Sequence, residues 1–255
     1  MTRTHLDERF AGADLDRSVW FPYYLPHWSS RAASAATWEV RDGALHLTIP
    51  PDQPQWCPDL HPDPLRVSCV QTGSFAGRLG GPVGQQPFAE GLVVREEQPT
   101  FWGYTPCFGS VEVRMRATVS PRSMFAFWMS GIEDEPHRSG EICVAEVFGD
   151  TLREEAGAAS AAVGIGVHRF RDPALVEEFS AERFPLDVTR FHRYGVDWRP
   201  DGLTFTIDGA VVRRSRQSPA YPMQLMIGVF DFPAKATGAD EPVPELVVSR
   251  VTGTP

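Results

Sequence analysis

Short runs of alternating apolar and polar residues recur along this chain, separated every few positions by turn residues, and that rhythm restricts its folds more than any other feature. The stretch FGSVEVRMRAT is the plainest case. Val111, Val113 and Met115 fall on one side and Glu112, Arg114 and Arg116 on the other, the period of two of a strand with one buried face. Further strand-like runs are MFAFWM, EICVAEVF, AVGIGVHRF, FHRYGVDW and MQLMIGVF, and ELVVSRV closes the chain. WEVRDGALHLTI breaks at Asp42-Gly43 and LTFTIDGAVVRR at Asp208-Gly209. Both are hairpin signals, because a two-residue turn between antiparallel strands needs residues that tolerate positive φ. Only DPALVEEFSAERF reads as helix, with Pro173 suited to a first turn and acidic residues after it. The pattern predicts an all-β chain, a β-sandwich formed as one domain over residues 1–255.

Composition narrows the function classes. A chain with 42% hydrophobic and 22% charged residues has enough apolar material for a substantial core. A formal charge of -9 argues against nucleic acid or an anionic membrane as partner, since phosphate contacts need clustered Lys and Arg. Cys57, Cys69, Cys107 and Cys143 form no C-x-x-C pair and no metal-type spacing with histidine, so no metal site is expected and disulfides are not required. The proline-rich stretches PPDQPQWCPDLHPDPL and DEPVPEL read as loops closely flanked by apolar runs, not as tethers. MTRTHLDERF holds no apolar run of the signal-peptide kind, and no stretch is long enough to cross a bilayer as a helix. With Met1 as the natural start, a cytoplasmic location is the expectation. Oligomeric state is left open.

Chemistry concentrates in SGEICVAEVFGD, where Glu141 and Glu146 flank Ile142, Cys143, Val144 and Ala145. On a regular strand, residues five apart point to opposite faces. One β-bulge between them would return Glu146 to the face of Glu141. Four effective steps then separate the backbones by about 13 Å. Side chains leaning together reduce that to about 5 to 6 Å between carboxyls, close to the roughly 5 to 5.5 Å of retaining glycosidases. Without a bulge, the glutamates are simply the charged ends of a buried strand.

GEICVAE resembles the catalytic strand of glycoside hydrolase family 16, whose bulged, laminarinase-like branch carries Glu-Ile-Asp-x-x-Glu. FGSVEVRMRATVSPRSMFAFWMSG is similar to the strands leading into that motif, and FHRYGVDWRPDGLTFTIDGAVVRR to the His-x-Tyr strand, Trp-x-Pro-Asp turn and Asp-Gly hairpin that follow it. LDERFAGADLDRSVW is similar to the family's usual opening. The resemblance implies a jelly-roll β-sandwich of two curved antiparallel sheets, of the concanavalin A-like lectin and glucanase type, with a carbohydrate cleft across the concave face. It further implies Glu141 as nucleophile, Glu146 as acid/base, and double displacement on a β-linked glucan, galactan or smaller glycoside. A transglycosylase on the same scaffold and a lectin-like binder remain the alternatives.

The chain departs from the family pattern at Cys143, which stands where the assisting aspartate is found. A thiol beside two carboxylates stays protonated and is a weak donor. The loop GIEDEPHRSG lacks the tryptophan that often precedes the nucleophile, and Met124 stands where many relatives carry another. Substrate contacts implied by the resemblance are Trp28 and Arg31 in an aromatic N-terminal loop, Trp102 before a cleft-side strand, Trp128 in an apolar strand, His168 on the strand after the motif, and Phe232 in VFDFPAKATGADEP. For each tryptophan the competing role is packing, and for His168 a structural hydrogen bond. No cofactor is expected. Relatives often hold a structural calcium through an aspartate of the last strand, and ELVVSRV has none there, although Asp7 and Glu8 leave the ion open.

Overall fold

The computed structural model describes residues 4–236 and 241–255. Among these, two antiparallel sheets dominate. The eight-stranded sheet runs Ala210–Ser215, Gly202–Ile207, His192–Arg199, Gly109–Thr118, Glu245–Thr254, Ala44–Thr48 and Thr37–Arg41, with Leu6–Glu8 paired on Glu245–Thr254. The seven-stranded sheet runs Arg153–Glu155, Ala158–His168, Glu141–Phe148, Ser123–Gly131, Met223–Asp231 and Arg66–Gln71, with Glu178–Phe184 paired on Ala158–His168. This is the β-sandwich that the strand pattern anticipated, in the jelly-roll form that the resemblance implied.

Alternation within each strand builds the core. Val111, Val113, Met115 and Ala117 of Gly109–Thr118 are buried against Phe125, Phe127 and Met129 of Ser123–Gly131, among others, in one cluster between the sheets. Both hairpin turns adopt the positive φ that their sequences call for: 52° and 69° at Asp42 and Gly43, 50° and 81° at Asp208 and Gly209.

The seven-stranded sheet is apolar on both faces. Leu225, Ile227 and Val229 of Met223–Asp231 join the inter-sheet core. Met226 and Phe230, pointing the other way, join a second cluster with Leu25, Trp28, Trp56, Leu65, Leu92 and Trp128. The N-terminal loop and the proline-rich loop supply much of this cover, so part of the outer face is roofed and the rest stays open as a cleft.

DPALVEEFSAERF is not helical. Glu178–Phe184 is a strand on the sheet edge, antiparallel to Ala161–Val167. The ring of Phe179 packs 4.4 Å from that of His168 and lies against Gly164, where an added Cβ would come within 2.5 Å of it. Pairing with a long neighbouring strand and seating that aromatic ring outweigh the weak local preference for helix.

Candidate active site

The bulge falls inside SGEICVAEVFGD. Going from Cys143 to Glu146 crosses three steps of Glu141–Phe148 but only two on the neighbouring strand, from Gly166 to Gly164. On the other side Ala145 pairs with Phe127 and Cys143 with Trp128, so Val144 is the extra residue. Val144 and Ala145 both turn into the inter-sheet core beside Ile142 and Val147. Glu141, Cys143 and Glu146 consequently share the opposite face, and all three line one cleft of about 530 Å³.

Among the described residues, neither carboxyl is held by a hydrogen bond that would favour its charged form. Burial pushes Glu141 up to about 8, with repulsion from Glu146 and then Glu177 adding to it. Burial raises Glu146 as well, opposed by the positive charge of His168. The Cys143 thiol lies well above its ordinary range, from burial first and then the two acids. It donates to Gly164 O at 3.6 Å, away from Glu141. Glu141 therefore still holds its proton near neutrality, and both acids lie above the ordinary carboxylate range.

The strand carrying Glu141 is anchored at its start. Gly140 N–H donates to the hydroxyl of Tyr221 at 2.7 Å, and that hydroxyl donates to Asp172 Oδ2 at 2.7 Å. An alanine Cβ at Gly140 would come within 2.5 Å of both Tyr221 and Leu175, so the close approach requires glycine.

The cleft gathers residues from distant parts of the chain: Tyr24 and Trp56 at one wall, Met124, Trp128 and Phe230 on the floor, and Glu133, Phe170 and Arg171 beside Glu141. Trp128 lines it directly, its ring 5.9 Å from that of Phe230. Other candidate contacts from the sequence fall elsewhere. Trp28 is fully buried and its indole N–H donates to Gln85 O at 2.7 Å, so no ring face is free for a sugar. Arg31 lies outside the cleft, bonded to Gln98 and paired with Glu96. Trp102 is exposed, but on a two-residue strand against Gly73–Ser74 outside the cleft lining. Phe232 stacks on Phe148 with Lys235 over both rings and does not line the cleft; residues 237–240 of its loop lie outside the described residues. His168 pairs across from Glu141 but is occupied by Glu177, to which its Nδ1 bonds at 2.5 Å.

Tyr24, Trp56, Glu133, Phe170 and Arg171 are cleft residues that the sequence reading did not select. Phe170 and Arg171 were within reach, because they lie two and three residues beyond His168, the last residue of the strand beside Glu141. As for calcium, Asp7 is paired with Arg9 and Arg250, and Glu8 accepts from Phe10 N and Trp20 Nε1.

A jelly-roll sandwich with two carboxyls brought together by a bulge over an open cleft is the architecture of a glycoside-hydrolase domain. The family model described as glycosyl hydrolases family 16 matches residues 104–241, and the chain belongs to that family. No curated protein sequence matches it. Among solved structures, a GlcNAcα1-4Gal-releasing endo-β-galactosidase from Clostridium perfringens superimposes with a TM-score of 0.81 at 22% identity, covering 97% of this chain and 60% of that one. The chain thus spans about three fifths of that structure's length. An endo-1,3-β-glucanase (laminarinase) catalytic domain from Thermotoga petrophila RKU-1 gives 0.64 at 13% identity, covering 97% and 95%. A Crh5 transglycosylase gives 0.58 at 16% identity, covering 99% and 85%.

Proposed function

We propose that the chain hydrolyses a β-linked glycan with retention of anomeric configuration. The observation that carries this reading is the bulge at Val144, which turns Glu141 and Glu146 onto one cleft face with no partner among the described residues competing for either carboxyl. Glu141 in its ionised form attacks the anomeric carbon while Glu146 protonates the departing glycosidic oxygen, leaving a glycosyl ester on Glu141. Glu146, now ionised, takes a proton from water as the water oxygen attacks the same carbon. The ester bond breaks, Glu141 returns as carboxylate, and two inversions give net retention. Trp128 offers an aromatic surface beside the pair. A carbohydrate acceptor in place of water would make the same site a transglycosylase.

The test is hydrolysis of aryl β-glycosides, laminarin and β-1,4-galactan oligosaccharides, with the anomer of the first product followed by NMR. The expected result is a β product from the wild type and a loss of at least about a thousandfold in both Glu141→Gln and Glu146→Gln. An α product, or turnover surviving in both variants, overturns the reading. Sugar binding by the wild type without any turnover would instead make the chain a lectin-like binder.

A further inference from the structure

The segment from Arg169 to Asp172 beside Glu141 is fastened far more firmly than a surface loop requires. Arg169 N–H donates to Glu177 Oε2 at 3.2 Å and Arg171 N–H to Ser139 Oγ at 2.9 Å. Asp172 N–H donates to Arg169 O at 2.8 Å, and the Asp172 carboxylate receives the Tyr221 hydroxyl. Within this frame Phe170 sits at φ 43°, a left-handed conformation that non-glycine residues adopt at a cost, yet the residue is 56% exposed and lines the cleft. The His168 ring lies 5.7 Å behind it. An exposed phenylalanine alone means little. This one is accompanied by a second feature.

Arg171 projects into the same cleft and forms an ion pair with Glu133. Glu133 is only 2% exposed, is itself at φ 58°, and accepts Gln86 N–H at 2.7 Å. The amide of Gln86 in turn donates to Ser130 Oγ at 2.8 Å. A buried acid thus fixes one side of a half-exposed guanidinium and leaves its remaining N–H groups toward the cleft. A flat aromatic face beside a fixed fork of donors is what a pyranose ring needs: a surface for its C–H face and partners for its hydroxyls.

We propose that Phe170 and Arg171, the latter positioned by Glu133, form a subsite for an uncharged sugar ring next to the catalytic pair, making the cleft selective for neutral over sulfated or uronic glycans. The selectivity follows from charge. Arg171 is the only arginine or lysine lining the described cleft, and its charge is already neutralised by Glu133, while Glu141 and Glu146 lie nearby. An anionic substituent would have to displace Glu133 to gain a countercharge and would find no other arginine or lysine in the described cleft. Glu141, protonated near neutrality, adds no repulsion, so the selectivity persists in Glu141→Gln protein. The inference rests on the glycan-cleaving reading for its orientation along the cleft, but the subsite binds sugar whether or not turnover follows.

The test is calorimetric binding to Glu141→Gln protein, using laminaritetraose and β-1,4-galactotetraose as neutral probes, with a carrageenan tetrasaccharide and an oligogalacturonate as sulfated and carboxylated ones. At least one neutral probe is expected to bind at least about tenfold tighter than either anionic probe. Phe170→Ala and Arg171→Gln should each weaken it about tenfold, Phe170→Tyr should retain it, and Arg171→Lys should recover it only in part. Glu133→Gln should weaken binding in the Arg171 background but add nothing once Arg171 is already Gln, which a merely structural role would not produce. Tighter binding of an anionic probe, undiminished binding in both Phe170→Ala and Arg171→Gln, or binding of no neutral probe overturns the proposal. If the binding pattern holds while the wild type turns nothing over, the hydrolytic reading fails and the subsite stands. If turnover depends on both glutamates while Phe170 and Arg171 are indifferent, the reverse is true.

Discussion

At the scale of single residues, the decisive fact is that Glu141 stands in the cleft with nothing among the described residues to hold its negative charge. A nucleophile must be ionised to attack, whereas burial and the neighbouring acids keep this one protonated up to about pH 8. Cys143 is near enough to feel both glutamates, but its thiol turns to Gly164 O. An aspartate at that position, kept protonated among three carboxyls, would donate a strong hydrogen bond to the Glu141 carboxylate and lower its pKa. Activity in the wild type should therefore be carried by the scarcer singly protonated form, with Glu141 ionised and Glu146 protonated. It should fall away in an alkaline limb above about pH 8, where the pair loses its last proton. Cys143→Asp should move that limb down by a pH unit or more and raise kcat/KM at pH 6.5 about tenfold. A pH–rate profile of the two proteins decides it. An unmoved limb would mean that position 143 does not govern the protonation of Glu141.

At the scale of elements, the site depends on one inserted residue and one anchor. A bulge between the glutamates was an open alternative on spacing alone and became the expectation through the family resemblance, and its place at Val144 came only with the strand pairing. The strands and both Asp-Gly hairpins were legible for local reasons. The edge strand Glu178–Phe184 was not, since Pro173 and the acidic run favour a helix until the partner strand is known. That misreading concealed the loop between Asp172 and Glu178; Phe170 and Arg171 lie just before the misread run and were missed because only the fold shows that the cleft reaches them. The anchor was equally hidden: Tyr221 lies 81 residues from Gly140 along the chain, yet its hydroxyl ties the start of the Glu141 strand to Asp172. Tyr221→Phe should lower kcat more than it raises KM, by about tenfold, and cost about 1 to 3 kcal/mol of stability by leaving Gly140 N–H and Asp172 short of a partner. Steady-state kinetics beside denaturant unfolding would check both. Lost stability with kcat intact would confine Tyr221 to a structural role.

At the scale of the whole molecule, the same burial that builds the cleft sets a stability conflict. Trp28 illustrates the first half: an aromatic loop that reads in sequence as a sugar platform folds down instead as the roof of a second apolar layer, and its position depends on partners far along the chain. That layer lowers the polarity around Glu141, and the consequence appears in the pH dependence of folding. The native carboxyl holds its proton up to about 8, whereas the unfolded one releases it near 4.5. Between those values the native state binds more protons than the unfolded state, so this group's contribution falls as pH rises through the window and is fully unfavourable above it. Glu141→Gln removes the titration while preserving shape. Its melting temperature should match that of the wild type near pH 4.5 and exceed it progressively up to pH 8 to 9, where the full difference is about 5 kcal/mol, or roughly 10 °C or more. Thermal melts of both proteins from pH 4.5 to 9 measure this directly. A gap that does not widen with pH would show that Glu141 is charged throughout, and the cleft would then be better solvated than its lining implies.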